Sequence, residues 1–209
     1  MKRHLGMSVF ILLAVLVVTG PAAWADDGVV GKVVRLKNSA MAMRDAQPRP
    51  LQEGGDILIG DVISTGKGTR LEFSLKDGSV VTLGERTTFV VEAFSDTPAH
   101  ENIAMRMLTG FFKAASGKVA EANPDAMNVA TEVATIGIRG TTGWGGRIDG
   151  AFGVALLAGK AIRVTTRAGS VDLTTVGQGT TVTSATAPPS APITWSAGKV
   201  ARATATVNF

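Results

Sequence analysis

The sequence predicts an all-β protein: short antiparallel strands and hairpins in a two-layer sandwich or a twisted solenoid-like domain, with a short C-terminal tail. Three observations carry this. Apolar residues alternate with polar ones over short runs, as in Leu71, Phe73 and Leu75 against Arg70, Glu72, Ser74 and Lys76. On an extended strand that spacing makes one apolar and one wet face. Glycine is abundant, at 25 of 209 residues, about 12% where ~7% is usual, and it punctuates these runs as turns. No sustained helical period occurs between residues 29 and 184.

Taken in order, strand character begins at Val29. After the 70–76 run, Asp77-Gly78 precedes Ser79 to Leu83 and favours the positive φ of a two-residue hairpin turn. Runs at Thr87 to Phe94 and Ile103 to Leu108 follow, and Thr109-Gly110 turns the chain into Phe111 to Ala115. Residues 118–126 are expected as a loop, broken at Asn123-Pro124-Asp125. Strands return at Asn128 to Ile138, Gly153 to Leu157, Ala161 to Thr166, Ser170 to Thr174 and Thr180 to Thr183, with turns at Gly159-Lys160 and Ala168-Gly169. Residues 185–195, rich in Pro, Ala and Ser, read as an extended linker. The tail, 196–209, can be written as a helix capped by Ser196 or as a strand, and its alanines favour helix.

The N-terminus has a different character. Lys2, Arg3 and His4 precede an apolar run from Val9 to Val18, and Ala23-Trp24-Ala25 follows Pro21. This is the layout of a cleavable secretory signal over residues 1–25, with cleavage before Asp26. The run is well short of the ~20 apolar residues of a membrane span, so the mature chain is expected in the periplasm or outside the cell without a transmembrane segment. Cleavage removes Lys2 and Arg3, lowering the net charge from +4 to +2. The all-β domain then covers 28–184.

Composition excludes several chemistries. Absent cysteine removes thiol catalysis, disulfides and cysteine-ligated metals. His100 is the single histidine after cleavage, in a polar connection with no serine in a nucleophile elbow. Residues 65–69 superficially resemble a phosphate loop, but the spacing is wrong and a hairpin turn is expected. Asp56 and Asp61 are five apart, an odd spacing that points them to opposite faces of a strand and disfavours a carboxylate-pair hydrolase. No basic stripe interleaved with aromatics suggests nucleic acid. Neither a cofactor nor a metal is expected. The terminal Phe209 invites an outer-membrane barrel, but the runs are short for transmembrane strands and the chain has no tyrosine.

What remains is contact. The glycine cluster Gly137, Gly140, Gly143, Gly145 and Gly146 surrounds Arg139, Thr141 and Trp144, which are the candidate binding residues. Glycines there fit close backbone packing beneath Trp144; an indole beside a guanidinium can also hold a sugar or an acidic group.

Several ordered motifs resemble the FecR-like domain. They are Gly54-Gly55-Asp56 with Val62-Ile63-Ser64-Thr65-Gly66; Leu71-x-Phe73-x-Leu75-x-Asp77-Gly78-Ser79; Leu108-x-Gly110-Phe111; and Val133 to Thr141. Leu156-x2-Gly159-x2-Ile162-x-Val164 and Gly169-x-Val171-x-Leu173 complete them. The resemblance implies an all-β envelope module without catalytic residues, whose partner is an envelope protein or, alternatively, a glycan. In the family's namesake the domain follows a transmembrane helix and a segment that handles a sigma factor. A cleavable signal stands in their place here, so sigma-factor regulation is not expected to carry over.

Overall fold

A computed structural model describes residues 28–209, so the expected signal peptide lies outside the described residues. The protein is all-β, as expected, but the sandwich alternative is corrected. Among the described residues, sixteen strands join in one continuous mixed sheet that curls until its two arms face each other.

The chain passes repeatedly from arm to arm. β1 (Val29–Lys37) belongs to the second arm, β2 (Ala40–Arg44) and β3 (Gln47–Pro50) to the first. β4 (Asp56–Leu58) returns to the second and β5 (Val62–Thr65) to the first. β6 (Arg70–Leu75) and β7 (Val80–Leu83) lie in the second; β8 (Thr88–Ser95) and β9 (Asn102–Thr109) lie in the first. β10 (Phe111–Ala115) crosses again, and β11 (Met127–Ala130) comes back to pair in parallel with β9. β12 (Thr135–Ile148) and β13 (Ala151–Thr166) form a long hairpin running through both arms. At one end β12 pairs with β11, and at the other with β10. β14 (Gly169–Leu173) extends β13 in the first arm, while β15 (Gln178–Val182) and β16 (Ile193–Thr194) extend it in the second.

Alternation explains the burial. In β6, Leu71, Phe73 and Leu75 are buried while Arg70, Glu72 and Ser74 are half-exposed. The rings of Phe73, Phe89 and Phe112 meet at centroid distances of 6.4 and 6.3 Å, joining strands of both arms in one core.

Three local expectations are revised. The Gly159-Lys160 turn is a kink inside β13: Gly140 and Gly159 have φ of 61° and 91°. A Cβ on Gly159 would fall 2.4 Å from the Gly140 carbonyl, so only glycine lets the hairpin bend there. The Asn128 to Ile138 run is broken by a turn in which Thr131 Oγ1 accepts from Ala134 N (3.0 Å). The Asp77-Gly78 hairpin is a three-residue turn, with Gly78 alone at positive φ and Leu75 N donating to Ser79 O (2.8 Å).

Asp77 is used for something else. Its carboxylate accepts from Ser79 N (2.9 Å), Ser79 Oγ (2.7 Å) and Val119 N (3.3 Å), and its carbonyl accepts from Lys118 N (3.0 Å). It therefore caps from a distance the helix α1 (Lys118–Ala122), where a loop was expected. Gly117 offers no side chain to cap that helix, which is why the local sequence does not announce it.

The tail takes the helical alternative. Helix α2 (Ala197–Ala205) is capped by Ser196, whose Oγ accepts from Lys199 N (3.2 Å). Arg70 of β6 donates to the carbonyls of Ala205 and Asn208 at 3.0 Å each, closing its far end. Residues 185–187 make a turn, with Ala187 N donating to Ser184 O (3.4 Å), and the stretch that follows is tied to β15, with Thr180 Oγ1 donating to Ser190 O (2.7 Å). Among the described residues no helix is long and apolar enough to cross a membrane.

Candidate functional site

A groove of about 480 Å³ opens at one mouth of the curled sheet. Two arm-crossings, 84–87 and 109–111, build one wall, and a third at Thr65 braces them from behind. Thr65 Oγ1 donates to Gly84 O (2.7 Å) and accepts from Thr87 N (2.8 Å), while Phe111 N donates to Thr87 Oγ1 (3.0 Å). Gly110 is obligatory in this arrangement: its φ is 97°, and a Cβ would lie 2.2 Å from Thr87 Oγ1. These bonds fix Glu85 and Arg86 above the end of β9. Opposite stand the 131–133 turn and the tip of the β12–β13 hairpin, bringing Val133, Glu132, Arg147 and Phe152. Leu108 projects into the groove and is 52% exposed.

Charges of both signs rim it. Arg147 and Glu132 approach to 3.9 Å with both side chains largely in water, a weak, screened pair. Glu85 accepts from Gly68 N (2.6 Å), and this bond holds its carboxyl below the usual value. Arg86, Arg70 and Lys67 push the same way, while desolvation opposes them. The 65–69 segment thus presents a backbone N–H to a carboxylate of its own chain. It is an arm-crossing rather than a hairpin, since β5 and β6 do not pair with each other.

The residues singled out from sequence are placed elsewhere. Trp144 is fully buried. Its Nε1 donates to Thr206 Oγ1 (3.0 Å), and its ring packs on Phe111 and Trp195 with centroids 6.3 and 6.0 Å away. It is the floor beneath the tail helix and has no face to offer a sugar. Thr141 is also buried, its hydroxyl donating to Ala158 O and its N–H to Ser116 Oγ (3.0 Å). Arg139 pairs with Asp125 at the surface, and its Nε is buried without a partner among the described residues. The three do not converge on a cleft.

Asp61 is buried and bonded by Arg49 (2.7 Å) and Leu58 N (2.9 Å), whereas half-exposed Asp56 pairs with Lys32 (2.6 Å). Each carboxylate has its own cation. His100 is exposed. Among the described residues no group of three His, Cys, Asp or Glu is placed to hold a metal. Sequence reasoning missed the groove as a site, although Leu108, Gly110, Phe111 and Val133 all belong to the motifs quoted above.

Fold and site together define a class: an all-β domain presenting an apolar groove with charged rims. The family model described as FecR protein matches residues 61–172, more than half of the chain, and the chain belongs to that family. The fold is similar to two crystal structures of a proposed anti-sigma factor from Parabacteroides distasonis ATCC 8503. Each superposes with a TM-score of 0.52 at 18% identity over 66% of this chain. The similarity spans 61% of that protein's chain, less than two thirds of it, and it is a likeness of fold. No curated protein matches the sequence.

Proposed function

We propose that this chain is a non-enzymatic, sensor-like binding module of the cell envelope, and that the groove at Leu108 is its contact surface for an envelope protein. One observation carries the reading. Leu108, Gly110, Phe111 and Val133, residues that bear the family likeness, come from separate elements and line the same groove. An exposed apolar centre with a polar rim is the anatomy of a protein contact. Similarity to a proposed anti-sigma factor supports a signalling role over a purely structural one. Export rests on the 1–25 leader, and N-terminal sequencing of periplasmic protein is expected to begin at Asp26.

The test is a photo-crosslinking residue placed at Leu108 in intact cells, with Val176 as an equally exposed control. Leu108 should yield one reproducible covalent partner that Val176 does not. Identical products from both positions would count as random collision and sink the proposal.

A further inference from the structure

We propose that the groove receives an extended segment of a partner protein by strand addition to the last three residues of β9. This rests on the reading of the groove as a protein contact and specifies its mode. β9 is flanked on both edges only as far as Arg106. On one side β8 accompanies it to the end, with Phe89 opposite Met107, Thr88 opposite Thr109 and Leu108 as a bulge between the two pairs. On the other, β11 runs in parallel until Ala130 stands opposite Arg106, and then leaves at the Thr131 turn. Residues 107–109 therefore have, among the described residues, no strand on that side. The groove is the lane β11 would have filled had it continued.

A bare strand edge presents N–H and C=O groups ready to pair, and proteins ordinarily blunt such edges. Elsewhere this sheet does so. β3 carries Pro48 and Pro50, which have no N–H, β16 is two residues long, and β14 bears the charged Asp172, paired across to Arg163 of β13. The 107–109 edge carries neither a proline nor a charged side chain; it bulges at Leu108, which has no residue opposite it on β8, and it opens onto apolar Leu108, Val133 and Phe152. Main-chain pairing with apolar pockets for alternate side chains is how an extended peptide is recognised. The rim fits a segment with an apolar residue flanked by an acid, facing Arg147 or Arg86, and a base, facing Glu132 or Glu85. A glycan would want an exposed aromatic plate, and Trp144 and Trp195 are buried.

The probe is a phage-displayed library of random linear peptides, about twelve residues long, panned on the full mature chain. Selected peptides should lose affinity about tenfold against L108E and keep it against V176E. Leu108→Ser serves as the milder variant should L108E unfold. Single N-methylation along a selected peptide should weaken binding at every second residue, the period of a paired strand. Hydrogen exchange should slow on binding at those amides of 107–109 that point into the groove and not at those that face β8. A flat N-methyl scan, protection elsewhere, or no peptide sensitive to L108E overturns strand addition. So does Leu108-dependent binding of peptidoglycan fragments, which would make the groove a glycan site. A Leu108 crosslink to a protein together with a flat scan removes strand addition and leaves the groove reading standing. A periodic scan with no crosslink in cells does the reverse.

Discussion

Asp77 shows how one side chain can organise distant segments. Its carboxylate accepts three hydrogen bonds from Ser79 and Val119 while 4% exposed. Asp77→Ala leaves those donors without their acceptor, and urea unfolding should register a loss of about 3 kcal/mol, since each orphaned buried donor costs ~1–3. Asp149 acts at the other end of the chain. Hydrogen bonds from Arg202 (2.9 Å) and then Lys199 (3.3 Å) hold its carboxyl below the ordinary aspartate value, against a small opposing desolvation. A carboxyl depressed in the folded state stabilises at pH above its unfolded value and loses that contribution as pH falls through the folded one. Acidification below about pH 4 should therefore loosen α2, seen as a change in tryptophan fluorescence. In Asp149→Asn that component of the pH response should be absent.

Among the elements, the tail is held by shape. Trp195 lies across Gly153 and Gly179, where a Cβ on Gly179 would come within 2.2 Å of the indole, and the Lys199 ammonium sits 4.4 Å from the ring centroid. Trp195→Ala should cost about 3–5 kcal/mol, and Ser196→Ala about 1 kcal/mol, both readable in thermal melts. Trp144→Ala should destabilise as much as Trp195→Ala, because its role is to carry the helix. These elements also show what the sequence could disclose. The strand β6 has one face in the core and one in water, so its alternation was legible. β12 is covered on one face by the opposite arm and on the other by the tail, burying the run from Gly143 to Gly146 continuously. Its period vanished, and Trp144 among glycines looked like a binding plate. Thr65, Thr87 and Gly110 build the groove wall through contacts between separate crossings, and no local pattern encodes those. A clue was nonetheless present in Leu108-x-Gly110-Phe111: an apolar residue beside an obligatory glycine, at a strand end.

At the scale of the whole molecule, the stretch matching the family model is not a free-standing unit. Residues 61–172 lack β1, which pairs with β6, and β2, which pairs with β5. They also lack β15 and the tail that covers Trp144. A 61–172 fragment should fail to melt cooperatively and should give a poorly dispersed NMR spectrum, whereas 28–209 should melt in one transition. The passage of the chain from arm to arm has a further consequence, in time rather than in space. Neither arm is made of consecutive residues, so the native pairings join positions far apart along the chain, and such topologies fold in milliseconds to seconds or more slowly. Neither arm can close while much of the polypeptide is held back. Such a chain is expected to stay unfolded for longer than one whose arms are each made of consecutive residues.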